Sequence, residues 1–247
     1  MLDTYISQYQ RGSYSNTWSE LVALGTSVRD RNIRGDATAV ARETMKRVRQ
    51  NVETVYQRLQ AIGYQFRVPA RAFIPPSGDT GATIDAIERR LDYLPLSLQA
   101  FYEEVGAVDF RQSNLQLRQG QHPERAQPNE LQVLGEEDPL VVHSLDDLHQ
   151  EVETAGQRLY YCFAPDEFHK ANYSGGENYH VWLPDEGADF RIQGMYGVDE
   201  YFVEYLRATL AQGGFRGRII DDGAGPLHKE SPKLIITAQL ARGLLRF

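Results

Sequence analysis

One long apolar stripe restricts the folds open to this chain more than any other feature. Ala41, Met45, Val48, Val52, Val55, Leu59 and Ile62 recur at alternating spacings of three and four. That rhythm lines one side of an α-helix and is incompatible with a strand, whose faces alternate every second residue. It predicts a helix from an N-cap at Asp36 to a C′ glycine at Gly63. A helix with one apolar face normally buries it within its own chain. The other face carries Arg42, Lys46, Arg47, Arg49 and Arg58, with Glu43 four residues before Arg47. Intrahelical pairing makes this a solvated face sooner than a nucleic-acid surface.

Other segments follow in the order helices, strands, helices. Residues 1–35 are polar and weakly patterned, with Tyr5, Tyr9, Tyr14, Trp18, Leu21 and Leu24 available to dock on something. Tyr64 to Phe66 reads as a short strand. A Pro- and Gly-rich stretch from Pro69 to Gly81 marks the boundary between an N-terminal helical extension (1–80) and a main domain (81–247). Ile84, Ile87, Leu91 and Leu94 give one helix; Pro95 at N1 opens a second with Leu98, Phe101, Tyr102 and Val105 inward, ended by Gly106. Val108 and Phe110 begin a strand, and 111–130 is a polar insertion. Short apolar runs at 131–134, 140–143, 159–163, 179–183 and 189–192 read as strands. Ser144 and Asp147 form a capping box for a helix to about Thr154. Helices around Phe202 to Leu210 and from Ser231-Pro232 towards Leu244 close the chain. This order predicts an α+β fold: a mixed, mainly antiparallel sheet wrapped by helices.

Charge and cysteine usage narrow the setting. A net charge of −8 opposes generic binding to nucleic acid or an anionic membrane and suits basic protein partners. No apolar run approaches the roughly 20 residues of a membrane span, and the polar start lacks a signal-peptide pattern. The single Cys162 cannot form an intramolecular disulfide and sits in an apolar run, which predicts a buried core thiol. A soluble protein of the cytoplasm is the expectation.

Ile84-Asp85-Ala86-Ile87-Glu88 leads to Leu94-Pro95, then to Leu98-Gln99-Ala100-Phe101-Tyr102 and Gly106. Phe163-Ala164-Pro165-Asp166 precedes Tyr179 to Leu183, and a helix follows at 199–210. In order and spacing these segments resemble the SUKH superfamily, which includes bacterial toxin-immunity proteins and fungal cell-wall regulators. The resemblance covers roughly residues 80–247. It implies a helix-wrapped mixed sheet with no catalytic residues, whose exposed face and loops bind a protein, in many members a nuclease toxin. The first 80 residues and the long insertion depart from the family.

The densest polar constellation runs from Asp166 to His180, between two predicted strands. Asp166, His169, Lys170, Tyr173, Glu177 and Tyr179 are the candidate partner contacts, because adaptable polar and aromatic residues on a loop suit recognition. The alternative is a small-molecule site or enzyme on the same segment, 166–179, with His169 as general base oriented by Asp166 or Glu177 and Ser174 as nucleophile, although the G-x-S-x-G context is missing. His143, Asp146, Asp147 and His149 contain metal-ligand types, but the two aspartates are explained by the helix N-terminus. Asp221-Asp222-Gly223 reads as a turn, and Gly213 to Gly217 lacks the Lys-Ser/Thr of a phosphate loop. No pattern calls for a metal or cofactor. The expectation is a non-enzymatic protein-binding module.

Overall fold

The computed structural model describes residues 4–113, 130–172, 176–195, 200–217 and 235–247. The expected insertion (111–130), Tyr173, Ser174, the Asp221-Asp222-Gly223 turn and the Ser231-Pro232 helix start lie wholly or mostly outside them.

The predicted long helix is α3, Arg34–Ala61, and Val40, Ala41, Met45, Val48, Val52, Val55 and Leu59 are buried. Its end is a Schellman motif: Tyr64 N–H donates to Leu59 O at 2.9 Å and Gly63 N–H to Gln60 O at 3.0 Å, with Gly63 at φ 76°. Asp36 is not its N-cap. The carboxylate instead accepts from the Tyr5 and Ile6 N–H groups at 2.5 and 3.2 Å, at the start of α1, Tyr5–Gln10. With α2, Tyr14–Ala23, this orders the weakly patterned N-terminus, and Tyr9, Trp18 and Leu21 are buried.

The arginines on the polar face of α3 are paired. Arg42 meets Glu103, Arg47 meets Glu43 and Arg49 meets Glu53, at 2.8, 2.9 and 2.8 Å, while Arg58 donates to Leu240 and Arg242 carbonyls.

α3 packs chiefly on α5, Leu96–Glu104, which follows α4, Thr80–Leu91. Pro95 stands at the N-cap of α5, one residue before the predicted position. The Pro- and Gly-rich stretch holds an edge strand, β1, Phe73–Ile74, antiparallel to β2, Ala107–Asp109, which pairs with β3, Val141–Val142. One hydrophobic cluster therefore runs from Tyr9 to Phe247 and takes in α3.

Three expected strands are corrected. Tyr64 to Phe66 makes only a single bridge, Phe66 to Gln112. Residues Glu130–Leu134 form a short helix, α6, because Leu131 and Leu134, three apart, share a face against the core. Residues 189–192 make only one isolated bridge, Arg191 to Tyr201. Asp189 competes there: its carboxylate accepts from the N–H groups of Phe190 and Val203 and from Ser97 Oγ.

The capping box at Ser144 and Asp147 starts α7, Leu145–Thr154. Next come β4, Leu159–Ala164, a one-turn helix α8, Glu167–Lys170, and β5, Tyr179–Leu183. β4 and β5 are antiparallel, and β4 meets the first sheet where His143 N–H donates to Phe163 O at 2.8 Å. The helices α9, Phe202–Ala211, and α10, Ile235–Ala241, pack behind. The protein is thus an α+β fold with small antiparallel sheets. Among the described residues no helix is long and apolar enough to cross a membrane.

Candidate functional site

Register decides what the β4–β5 hairpin shows to solvent. Tyr161, Phe163, Tyr179, Val181 and Leu183 point inward and are at most 1% exposed. They meet an aromatic cluster in which Phe163 lies 5.6 Å from Phe202, and Phe190 stacks on Phe202 at 4.9 Å. Burying a side chain of this size stabilises by about 1.5–3 kcal/mol. A one-residue slip would invert every residue of the hairpin, so the register is firmly set.

The outward set is then Tyr160, Cys162, His180 and Trp182. Tyr160 pairs across the strands with Trp182, and Cys162 with His180. The Tyr160 ring stacks on His180 at 4.1 Å with planes 4° apart and lies 4.4 Å from Trp182. Tyr160 Oη–H donates to Glu177 Oε1 at 2.8 Å. Burial and this neighbouring carboxylate push the Tyr160 hydroxyl up to about 12. Trp182 is 56% exposed. Phe168, at 37%, borders Gly176, the residue before Glu177.

Cys162 corrects the expected core thiol. It is half-buried on this outward face, and burial, with Glu151 and Asp166 adding negative charge, pushes it up to about 11.

The expected contact residues divide between interior and surface. Asp166, 2% exposed, caps α8: Oδ1 accepts from His169 N at 2.7 Å and lies 3.0 Å from His169 Nδ1. Lys170 is fully enclosed. Its Nζ donates to Asp138 Oδ1 at 2.6 Å and to Tyr205 Oη at 3.2 Å, and it faces the Tyr179 ring at 4.7 Å. Burial opposes the Lys170 charge, yet Asp138 outweighs it and the ammonium is held above its ordinary range. Tyr179, 1% exposed, donates to Glu167 Oε2 at 2.6 Å. Asp166, Lys170 and Tyr179 therefore brace the hairpin from inside and present no contact surface. His169 and Glu177 are exposed, and Tyr173 lies outside the described residues. The sequence reading missed Tyr160, Trp182 and Phe168, although the alternation of Tyr179-His180-Val181-Trp182-Leu183 already marks His180 and Trp182 as one face.

A second feature is a cleft of about 540 Å³ beside β1–β3 and the start of α7. Arg71, Asp109, Arg111, His143, Asp146 and Glu151 contribute its polar lining. Arg111 is bound to Asp109 at 2.6 Å. His143 Nδ1 lies 3.1 Å from the Cys162 carbonyl, which fixes the proton there in the neutral ring. Burial lowers the His143 pKa and raises that of Glu151. Asp147 is occupied by the capping box and His149 lies 3.7 Å from Glu153. Among the described residues no group of three or more His, Cys, Asp or Glu side chains is placed to hold a metal ion.

Comparison with protein-family models, curated proteins and solved structures finds no match.

Proposed function

We propose that this protein is a non-enzymatic module that binds another protein through the outward face of the β4–β5 hairpin. The observation that carries this reading is the aromatic ladder of Tyr160, His180 and Trp182, with Trp182 56% exposed. The buried inner residues set the hairpin's register without help from these rings. A preorganised tryptophan and tyrosine on a rigid sheet are the residue types that anchor protein interfaces. The polar groups of the 166–179 segment favour binding over catalysis, because Asp166 caps α8, Lys170 is paired with Asp138 and Tyr179 donates to Glu167. The SUKH resemblance supports the same class of activity, a toxin being one such partner; the acidic charge suits a basic partner, and the single cysteine favours a cytoplasmic setting.

A photocrosslinking amino acid at position 182, with one at exposed Gln60 as control, tests the reading. A discrete adduct from position 182 alone is expected. The captured protein, once purified, should bind wild type at least tenfold more tightly than Trp182→Ala. Equal adducts at both positions, or equal affinity, would refute the surface.

A second reading, small-molecule binding, rests on the His143 cleft. It predicts a ligand-induced thermal shift that His143→Ala removes and Trp182→Ala leaves intact.

A further inference from the structure

The surroundings of the aromatic ladder specify the chemistry of what docks on it; this step rests on the protein-binding reading above. Glu177 puts a carboxylate on the outward face, where it accepts from Tyr160 Oη–H at 2.8 Å. The whole chain carries a net −8. Arg158 precedes β4 at the end of the ladder opposite Glu177. Glu177 reaches Tyr160 from the Tyr179 end of the ladder.

Elsewhere the fold already shows what such a pairing accepts. Arg47 sits 5.2 Å from the Tyr14 ring centroid while its Nε donates to Glu43 at 2.9 Å. Ring and carboxylate together hold one guanidinium. Tyr160 with Glu177 supplies the same two parts, yet the cation–ring contacts among the described residues fall on Tyr9, Tyr14, Tyr93, Tyr179, Tyr201, Tyr205 and Phe247, and none on Tyr160 or Trp182.

We propose that the ladder receives a basic segment of a partner protein, an arginine laid across Tyr160 and Trp182 with its guanidinium on Glu177. Arginine fits better than lysine because its planar guanidinium stacks on a ring and still offers a forked pair of donors to a carboxylate. Lysine presents a compact, strongly hydrated charge that satisfies only one of these contacts at a time. A nucleic acid would bring stacking bases but also phosphates, which Glu177 and the chain's net charge of −8 repel.

The chain has two tryptophans, and only Trp182 is exposed; Trp18 is buried with its Nε1–H on Thr44 Oγ1. Their indole signals in a ¹H–¹⁵N spectrum therefore read the surface and an internal control together. The protein is titrated with acetyl-tetra-arginine amide, the tetra-lysine and tetra-glutamate analogues, and a single-stranded oligothymidine. The arginine peptide is expected to move the Trp182 signal and leave Trp18 in place, binding several-fold more tightly than the lysine peptide. Glu177→Gln, an exposed replacement, should weaken it about threefold to tenfold. A stationary Trp182 signal, equal binding of both cationic peptides, indifference to Glu177→Gln, or tighter binding of the glutamate peptide or oligothymidine would each overturn the proposal. The position-182 crosslink separates the two failures: an adduct without arginine preference sinks this inference alone, whereas absence of a specific adduct sinks the protein-binding reading beneath it.

Discussion

Replacing Lys170 by Met tests the account of how the hairpin is braced. The Lys170 side chain is 0% exposed and that of Asp138 is 2%, and their charged atoms are 2.6 Å apart. Met keeps the length and apolar stem of Lys but leaves Asp138 charged and buried without its ammonium partner, with Tyr179 Oη at 3.5 Å and the Arg216 charge still acting on it. Removing one member of a buried ion pair costs about 3–5 kcal/mol, most of it the uncompensated charge. With an m-value on the order of 2 kcal/mol/M, the urea midpoint should fall by roughly 2 M. The double variant Lys170→Met/Asp138→Asn removes both charges. Asn is the suitable partner because Asp138 has φ 47°, a left-handed conformation that asparagine tolerates. It should recover at least half of the loss. Urea unfolding followed by circular dichroism, with all variants at one pH, gives the coupling directly. A single variant within about 1 kcal/mol of wild type, or a double variant less stable than the single, would show that the pair does not brace the fold.

Other consequences are open to direct measurement. Burial raises Asp189 from 3.8 to about 7 despite its bonds to Ser97, Val203 and Phe190. The folded-state value exceeds the unfolded one, so the associated stability is fully present below about pH 4 and is lost as pH rises through 7. The difference in unfolding free energy between wild type and Asp189→Asn should therefore change by up to roughly 1.4 kcal/mol per pH unit in that window; a constant difference would contradict the assignment. Gly106→Ala places a methyl on the Ile74 carbonyl oxygen at φ 94° and should lower Tm by several degrees more than Gly63→Ala, where φ is 76° but the space is open. Trp182→Ala removes an exposed ring and should leave Tm within about two degrees of wild type while weakening binding of the captured partner at least tenfold.

Much of the scaffold was written in local periodicity. The α3 stripe, the capping box at Ser144 and the span of β5 depend on neighbours within a few residues. Their boundaries accordingly fall within three residues of expectation. Short apolar runs were ambiguous. Leu131 to Leu134 is too brief for its period to separate strand from helix, and at 189–192 a side-chain carboxylate displaced the ladder. The N-terminus was legible only as aromatics awaiting a surface, because α1 takes its backbone bonds from Asp36, about thirty residues away.

The sequence by itself determined which residues share a helix or strand face, since that follows from backbone repeat alone. It therefore placed His180 and Trp182 together. Tertiary structure decided which face meets water and which charges meet each other. Lys170 finds Asp138 across 32 positions and Tyr205 across 35. Those pairings turn an apparently polar loop into an interior brace. The aromatic ladder on the other side became visible only once the core had chosen Tyr161, Phe163 and Tyr179 and left Tyr160 and Trp182 outside.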